Sequence, residues 1–172
     1  MSSHVPLRYL KFHKNLQIIN CRVNKLKNTK IRSIFKKDRK EFIFFFKLYL
    51  DEINFKKIDK KKIAVMAKKI INNENKKKFI FYNQNNIIGF VVATFYKNLI
   101  NLNICKIEDF YIRKEFRKKG FGLELVKKFK KKIHYKKIKK FKIEILDKNH
   151  TAKKFWRTFK LKIISNSYLI DL

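Results

Sequence analysis

The sequence predicts one α/β (α+β) domain, with a mixed, mainly antiparallel central sheet and helices on both faces. Three observations carry that expectation. Stretches with two-residue apolar alternation interleave with stretches whose apolar residues recur every three or four positions. One strand-like run, residues 87–96, is apolar almost throughout, as a central strand covered on both faces must be. The length of 172 residues, with 45% hydrophobic content, suits a single domain with its own core. No internal repeat or second domain is visible, so the globular part is placed at residues 29–172.

Taken in order, residues 31–35 read as a first strand. Asp38 is placed to N-cap a helix in which Phe42, Phe45, Phe46 and Tyr49 recur at helical spacing through Leu50. Asp59 then precedes a second helix carrying Ile63, Val65, Met66, Ala67, Ile70 and Ile71, which ends at Asn72-Asn73. Residues 79–82 and 87–96, joined by the Asn-rich stretch 83–86, read as a hairpin. Residues 105–112 form another strand, followed by a glycine turn. A helix comes next, with Leu125, Val126, Phe129 and Ile133 inside and Lys127, Lys128, Lys130 and Lys131 largely outside. A strand at 141–146, a short helix at 149–159 and closing strands at 161–172 complete the order β-α-α-β-β-β-α-β-α-β.

The net charge of +33 raises a nucleic-acid reading, since dense positive charge releases counterions from phosphate. Lysine supplies 39 of the 46 basic residues, and Lys, Ile, Asn and Phe make up 97 of the 172. These are residues that A- and T-rich codons specify, so base composition accounts for the charge without selection for a partner. Arginine, the better residue for forked phosphate contacts, is scarce, which leaves polyanion binding as an incidental property. No apolar span approaches the roughly 20 residues needed to cross a bilayer, so the chain reads as soluble, without a membrane partner. Two cysteines, Cys21 and Cys105, lack metal-type spacing and imply no disulfide framework, which favours a reducing, cytoplasmic compartment. Residues 1–28 are free of acids and hold the single proline, Pro6. A flexible basic arm, an organellar presequence and an upstream start codon are all open readings for them. His4, His13, His134 and His150 show no ligand spacing, and no metal is expected.

Two of only three glycines, Gly120 and Gly122, stand one residue apart at the strand-to-helix junction. Backbone amides can close on a phosphate oxygen where no Cβ intervenes, and the next helix offers its unpaired N–H groups and positive dipole end to the same anion. Arg117, Lys118 and Lys119 add mobile positive charge at the mouth. The stretch Ile-Glu-Asp-Phe-Tyr-Ile-Arg-Lys-Glu-Phe-Arg-Lys-Lys-Gly-Phe-Gly (residues 107–122) resembles the strand–turn–helix motif of the GCN5-related N-acetyltransferase superfamily, with its (Arg/Gln)-x-x-Gly-x-(Gly/Ala) turn. Asn149-His-Thr-Ala152-Lys-Lys-Phe155-Trp156 resembles the second motif of that family, Asn-x-x-Ala-x-x-(Phe/Leu)-Tyr. The resemblance covers roughly residues 30–172.

The resemblance implies acetyl-CoA as co-substrate and direct transfer of acetyl to an amine, without a covalent enzyme intermediate or a metal. It implies that strands splay at the CoA site, where the backbone of Phe110, Tyr111 and Ile112 meets the acetyl carbonyl and pantetheine amides. Arg117, Lys118, Lys119, Gly120, Phe121, Gly122 and Leu123 would hold the pyrophosphate, and Asn149 the pantetheine arm. Direct attack needs a neutral amine, so a carboxylate near the acceptor must take its proton. Glu108 is the candidate base. Asp109, its neighbour, points to the opposite face by strand alternation. The family often has tyrosine where this chain has Trp156, whose indole cannot usefully release a proton. Tyr168 or Tyr111 is left as candidate acid for the departing thiolate, and Trp156 reads as a packing aromatic. The glycine of the family near this helix's end is replaced by about Lys160. The Glu108-Asp109-Phe110 approach resembles the diamine and polyamine branch, and Asp51, Glu52 and Asp109 are candidate contacts for a cationic acceptor. A small amine leads, a peptide or protein amine follows, a catalytically degenerate CoA-binding protein is a third reading, and a homodimer is an open assembly.

Overall fold

The computed structural model describes residues 26, 28–53 and 58–159. Most of the N-terminal extension, the expected strands at 161–172, Tyr168 and Lys160 lie outside the described residues. The chain divides into two compact units, Met1–Lys142 and Ile143–Leu172.

The first unit carries strands β1 (Thr29–Ser33), β2 (Lys76–Asn83), β3 (Asn86–Lys97), β4 (Asn103–Ile112) and the short β5 (Lys140–Ile143), ordered β1-β2-β3-β4-β5 across the sheet. Its helices are α1 (Arg39–Glu52), α2 (Lys60–Asn72) and α3 (Phe121–Lys132). The first four strands pair antiparallel with their sequence neighbours. The hairpin turn between β2 and β3 tightens to Gln84-Asn85, with Gln84 in the left-handed region at φ 53°. β3 is central, and its run Ile88–Ala93 is buried throughout, as its continuous apolarity requires.

Side-chain alternation assigns the two faces. Ile80, Phe90, Val92 and Tyr111 join Phe42, Phe46 and Leu50 of α1 and Ile63, Ala67 and Ile71 of α2 in one core. On the other face Phe79 meets Phe129 of α3, ring centroids 5.7 Å apart, and Leu125 of α3 is fully enclosed. The expected helical stripes therefore hold, except that Val65 and Met66 of α2 face outward, 52% and 37% exposed. At 3.6 residues per turn they fall away from the Ile63–Ala67–Ile71 line. The expected first strand starts earlier, at Thr29, because it pairs with β2 from Asn83 backward.

Asp38 precedes α1, as expected, but its side chain makes no helix-cap bond. Its carboxylate instead accepts from Arg32 Nη1 at 2.6 Å and Nη2 at 2.9 Å, and from the Phe35 N–H at 2.9 Å. This forked pair pins β1 to the start of α1. The Arg32 hydrogen bond, the largest influence, holds Asp38 below the ordinary carboxylate range against the opposing effect of burial. Its contribution is complete above the ordinary carboxylate pKa and is lost as pH falls through the lowered value. Asp38→Ala is expected to cost about 2 kcal/mol, since hydrogen bonds to a charged group vanish. A lower urea midpoint at unchanged slope checks this, and an unmoved midpoint contradicts it.

The second unit holds α4 (His150–Arg157), one turn shorter than the expected 149–159. Trp156 is buried there against Phe155 and Phe159, with centroids 4.9 and 5.5 Å away.

Candidate active site

The glycine turn is built as the sequence suggests. β4 ends at Ile112, a single 3₁₀ turn spans Lys114–Phe116, and Gly120 stands at the N-cap of α3 with φ 88°. The first helical bond runs from the Glu124 N–H to the Gly120 carbonyl at 3.1 Å. The N–H groups of Phe121, Gly122 and Leu123 therefore precede the helical ladder and sit at its positive end. Lys118 is also left-handed, at φ 56°, a conformation unusual for a lysine. Two left-handed residues flanking Lys119 curl the backbone into the concave form that binds anions. The Lys119 ammonium donates to the Glu115 carbonyl at 2.6 Å.

Arg117 corrects an expectation. It is not a mobile charge at the mouth: Nε donates to the Ile112 carbonyl at 2.7 Å, Nη2 pairs with Glu52 at 2.6 Å, and the guanidinium lies over the Tyr111 ring, 5.5 Å from its centroid. Glu52 also accepts from the Tyr111 hydroxyl at 3.1 Å. The end of α1, the end of β4 and the turn are thus tied together. Burial first, and Glu52 second, raise the Tyr111 phenol.

On one edge β4 is neighboured by the shorter β5. β5 is anchored near its start, where the Lys139 N–H donates to the Asn103 carbonyl at 3.0 Å. Its four residues span about 13 Å, at roughly 3.3 Å each, against ten residues in β4. Phe110, Tyr111 and Ile112 lie at the end of β4 remote from Asn103. On the opposite edge Gly89 faces Ile112, and a Cβ there would come within 2.2 Å of the Tyr111 carbonyl oxygen. The third glycine, given no role by the sequence, lets β3 approach the end of β4.

The carboxylates show a second correction. Val92 pairs with Asp109, but Ala93 pairs with Ile107, leaving Glu108 as the extra residue of a β-bulge. Glu108 bonds Lys76 and the Thr94 hydroxyl, and strict alternation puts both on the face of Ile80, Phe90 and Val92. Asp109 reaches the same face, where the Tyr49 hydroxyl of α1 is its hydrogen-bond partner. The two acids share one face because the bulge cancels the alternation that would separate them. Asp109 is raised above the ordinary carboxylate range, chiefly by burial and further by the Glu108 charge, against the Tyr49 bond and Lys76. Tyr49 is raised too, by burial and then Asp109.

Other expected groups are elsewhere. Asp51 pairs with Lys47 at 2.6 Å within α1. Asn149 caps α4, its side-chain oxygen accepting from the Ala152 N–H at 2.9 Å. His134 and His150 are exposed, and Cys105 is a buried thiol pushed up to about 12 by burial, a poor nucleophile. Among the described residues no group of three or more His, Cys, Asp or Glu could hold a metal, and no helix is long and apolar enough to cross a membrane.

Comparison with known proteins agrees with this geometry. Residues 34–160 match the model of the acetyltransferase (GNAT) family. No curated protein matches the chain by sequence. Among solved structures, a possible acetyltransferase from Clostridium difficile 630 superposes with a TM-score of 0.69 at 19% identity, covering 84% of this chain and 97% of its own. The ribosomal-protein-alanine N-acetyltransferase of Brucella melitensis biovar Abortus 2308 gives 0.70 at 15% identity, over 84% and 99%. An aminoglycoside acetyltransferase from an uncultured soil metagenomic sample gives 0.65 at 17%, over 84% and 98%. At these identities the likenesses establish the fold.

Proposed function

The chain belongs to the acetyltransferase (GNAT) family, and from that premise we propose that it moves acetyl from acetyl-CoA to the primary amine of a small acceptor. The observation that carries the reading is the glycine turn at the N-terminus of α3, just after the end of β4. Its donor set fits a diphosphate: backbone N–H groups at a helix start, two left-handed residues and adjacent lysines, with no competing carboxylate in residues 117–123. Bound acetyl-CoA would supply an activated acyl group. The chain's own residues supply the rest.

Phe121, Gly122 and Leu123 offer N–H donors to the pyrophosphate, with Lys118 and Lys119 adding charge. Arg117 supports the turn from beneath through Glu52 and the Ile112 carbonyl. The backbone of Phe110, Tyr111 and Ile112 orients the acyl end. Asn149 is assigned to the pantetheine arm on its motif alone. Of the two acids on the acceptor face, Asp109 is the proton acceptor we favour: it forms no salt bridge among the described residues and burial makes it a more basic carboxylate than an ordinary one, whereas Lys76 and Thr94 occupy Glu108. Glu108, the choice from sequence, is its direct competitor. The acid for the thiolate is Tyr168 or Tyr111, or none, positive charge then stabilising the leaving group.

One observation favours a second reading. Residues 125–143 hold ten lysines and no acid, a surface suited to incidental polyanion binding that would weaken steeply with salt and release no thiol. The transfer reading is tested by melting curves. Acetyl-CoA at 100 times its Kd should stabilise the fold by about 2.7 kcal/mol, with a matching rise in Tm. A folded sample whose Tm ignores CoA compounds overturns the reading.

A further inference from the structure

The charge around the acceptor face restricts the amine. α1 and β4 bring three carboxylates together: Glu52 at the Tyr111 hydroxyl, and Glu108 and Asp109 beside Tyr49, whose ring lies 6.0 Å from that of Tyr111. Glu52 is bound by Arg117 at 2.6 Å and Glu108 by Lys76. Both pairs are partly buried, with side chains between 19% and 28% exposed. Asp109 alone of the three forms no salt bridge among the described residues; its neighbour is the neutral Tyr49 hydroxyl. Among the described residues, three negative charges thus meet two positive ones.

We infer that the acceptor is a monoamine carrying one positive charge, with a neutral or anionic remainder, and that diamines and polyamines are excluded by charge. The inference rests on the acetyl-transfer reading. One ammonium beside Asp109 brings the cluster to neutrality. A second, a few ångströms away, would meet Lys76 or Arg117 without a vacant carboxylate to receive it. Displacing either cation from its acid would strand a partly buried charge, which costs more than the new pair returns. The whole-chain charge of +33 adds to the selection, because repulsion of an approaching dication exceeds that of a monocation. The acidic residues that resemble a polyamine site in sequence are therefore mostly neutralised by cations within the fold. The chemistry that remains suits an amino acid, an uncharged alkylamine or a peptide amino terminus with neutral or acidic neighbours.

The test compares acceptors matched in shape. Free thiol is followed with acetyl-CoA and butylamine, 4-aminobutanoate or 1,4-diaminobutane, and with two tetrapeptides differing only in a glutamate or a lysine at the second position. The single-charge member of each set should exceed the double-charge member in kcat/KM by about tenfold or more at low salt, with the gap closing as salt rises. Lys76→Met, which frees Glu108, should narrow the gap between butylamine and the diamine. Equal or better use of the diamine and the lysyl peptide overturns the inference while leaving acetyl transfer intact, and a gap unmoved in Lys76→Met overturns its charge basis. Absence of thiol release with every amine, together with a melting curve that acetyl-CoA does not move, overturns the transfer reading and the inference with it.

Discussion

Gly120→Val is expected to abolish the acetyl-CoA-induced rise in Tm. Gly120 sits at φ 88°, a conformation a β-branched residue adopts only at a cost of roughly 1–2 kcal/mol. Valine relieves that strain by rotating the turn, and the N–H groups of Phe121 and Gly122 then no longer converge. Loss of two such bonds to an anion, at about 1.5–3 kcal/mol each, weakens binding by at least about a hundredfold. A ligand concentration of 100 times the native Kd then stabilises the variant by only about 0.4 kcal/mol. Gly120→Asn is the control. Asparagine tolerates the left-handed region, so this variant should keep most of the shift. A full shift in the valine variant would mean that the turn does not hold the cofactor.

Asp109→Asn is expected to lower kcat by about 10²–10⁴, the usual contribution of a positioned base. It should also remove the acidic limb of the rate profile. Burial raises Asp109, so in the native protein activity should climb with pH through a value above the ordinary carboxylate range of about 4. The same shift fixes the sign for stability. A raised carboxyl favours the fold below its unfolded pKa and loses that contribution as pH rises through its folded pKa. At neutral pH Asp109→Asn should therefore melt no lower than the native protein, separating lost catalysis from lost structure. Glu108→Gln removes a negative neighbour of Asp109 and leaves Lys76 nearby, so its limb should persist and move to lower pH. The reverse pattern, a limb lost in Glu108→Gln and kept in Asp109→Asn, would transfer the base role to Glu108.

Much of this was legible in the chain because local rules suffice for it. Helical spacing found α1 and α3, continuous apolarity found β3, and two glycines in a glycine-poor chain marked the turn. What escaped depends on partners distant in sequence or on a break in periodicity. The bulge at Glu108 is set by how β3 and β4 pair, and one extra residue there reverses the assignment of faces. Arg117 looks like a free cation until Glu52, 65 residues away, is brought beside it. Asp38 stands where a cap belongs, but Arg32 across the β1–α1 corner outcompetes the helix N–H groups. Gly89 has a role only once the Tyr111 carbonyl is seen against it. The acid cluster was visible as acids, but its neutralisation by Arg117 and Lys76 was not.

The central claim is that this chain joins an acetyl-CoA site to an amine site on one face of β4. The most direct measurement follows free CoA thiol and acetylated amine together, by absorbance and mass spectrometry, with and without a monoamine acceptor. Thiol release should depend on the amine, equal the acetylated amine formed, and collapse in Gly120→Val and Asp109→Asn. Thiol release that is indifferent to the amine, or that survives unchanged in both variants, would contradict that claim.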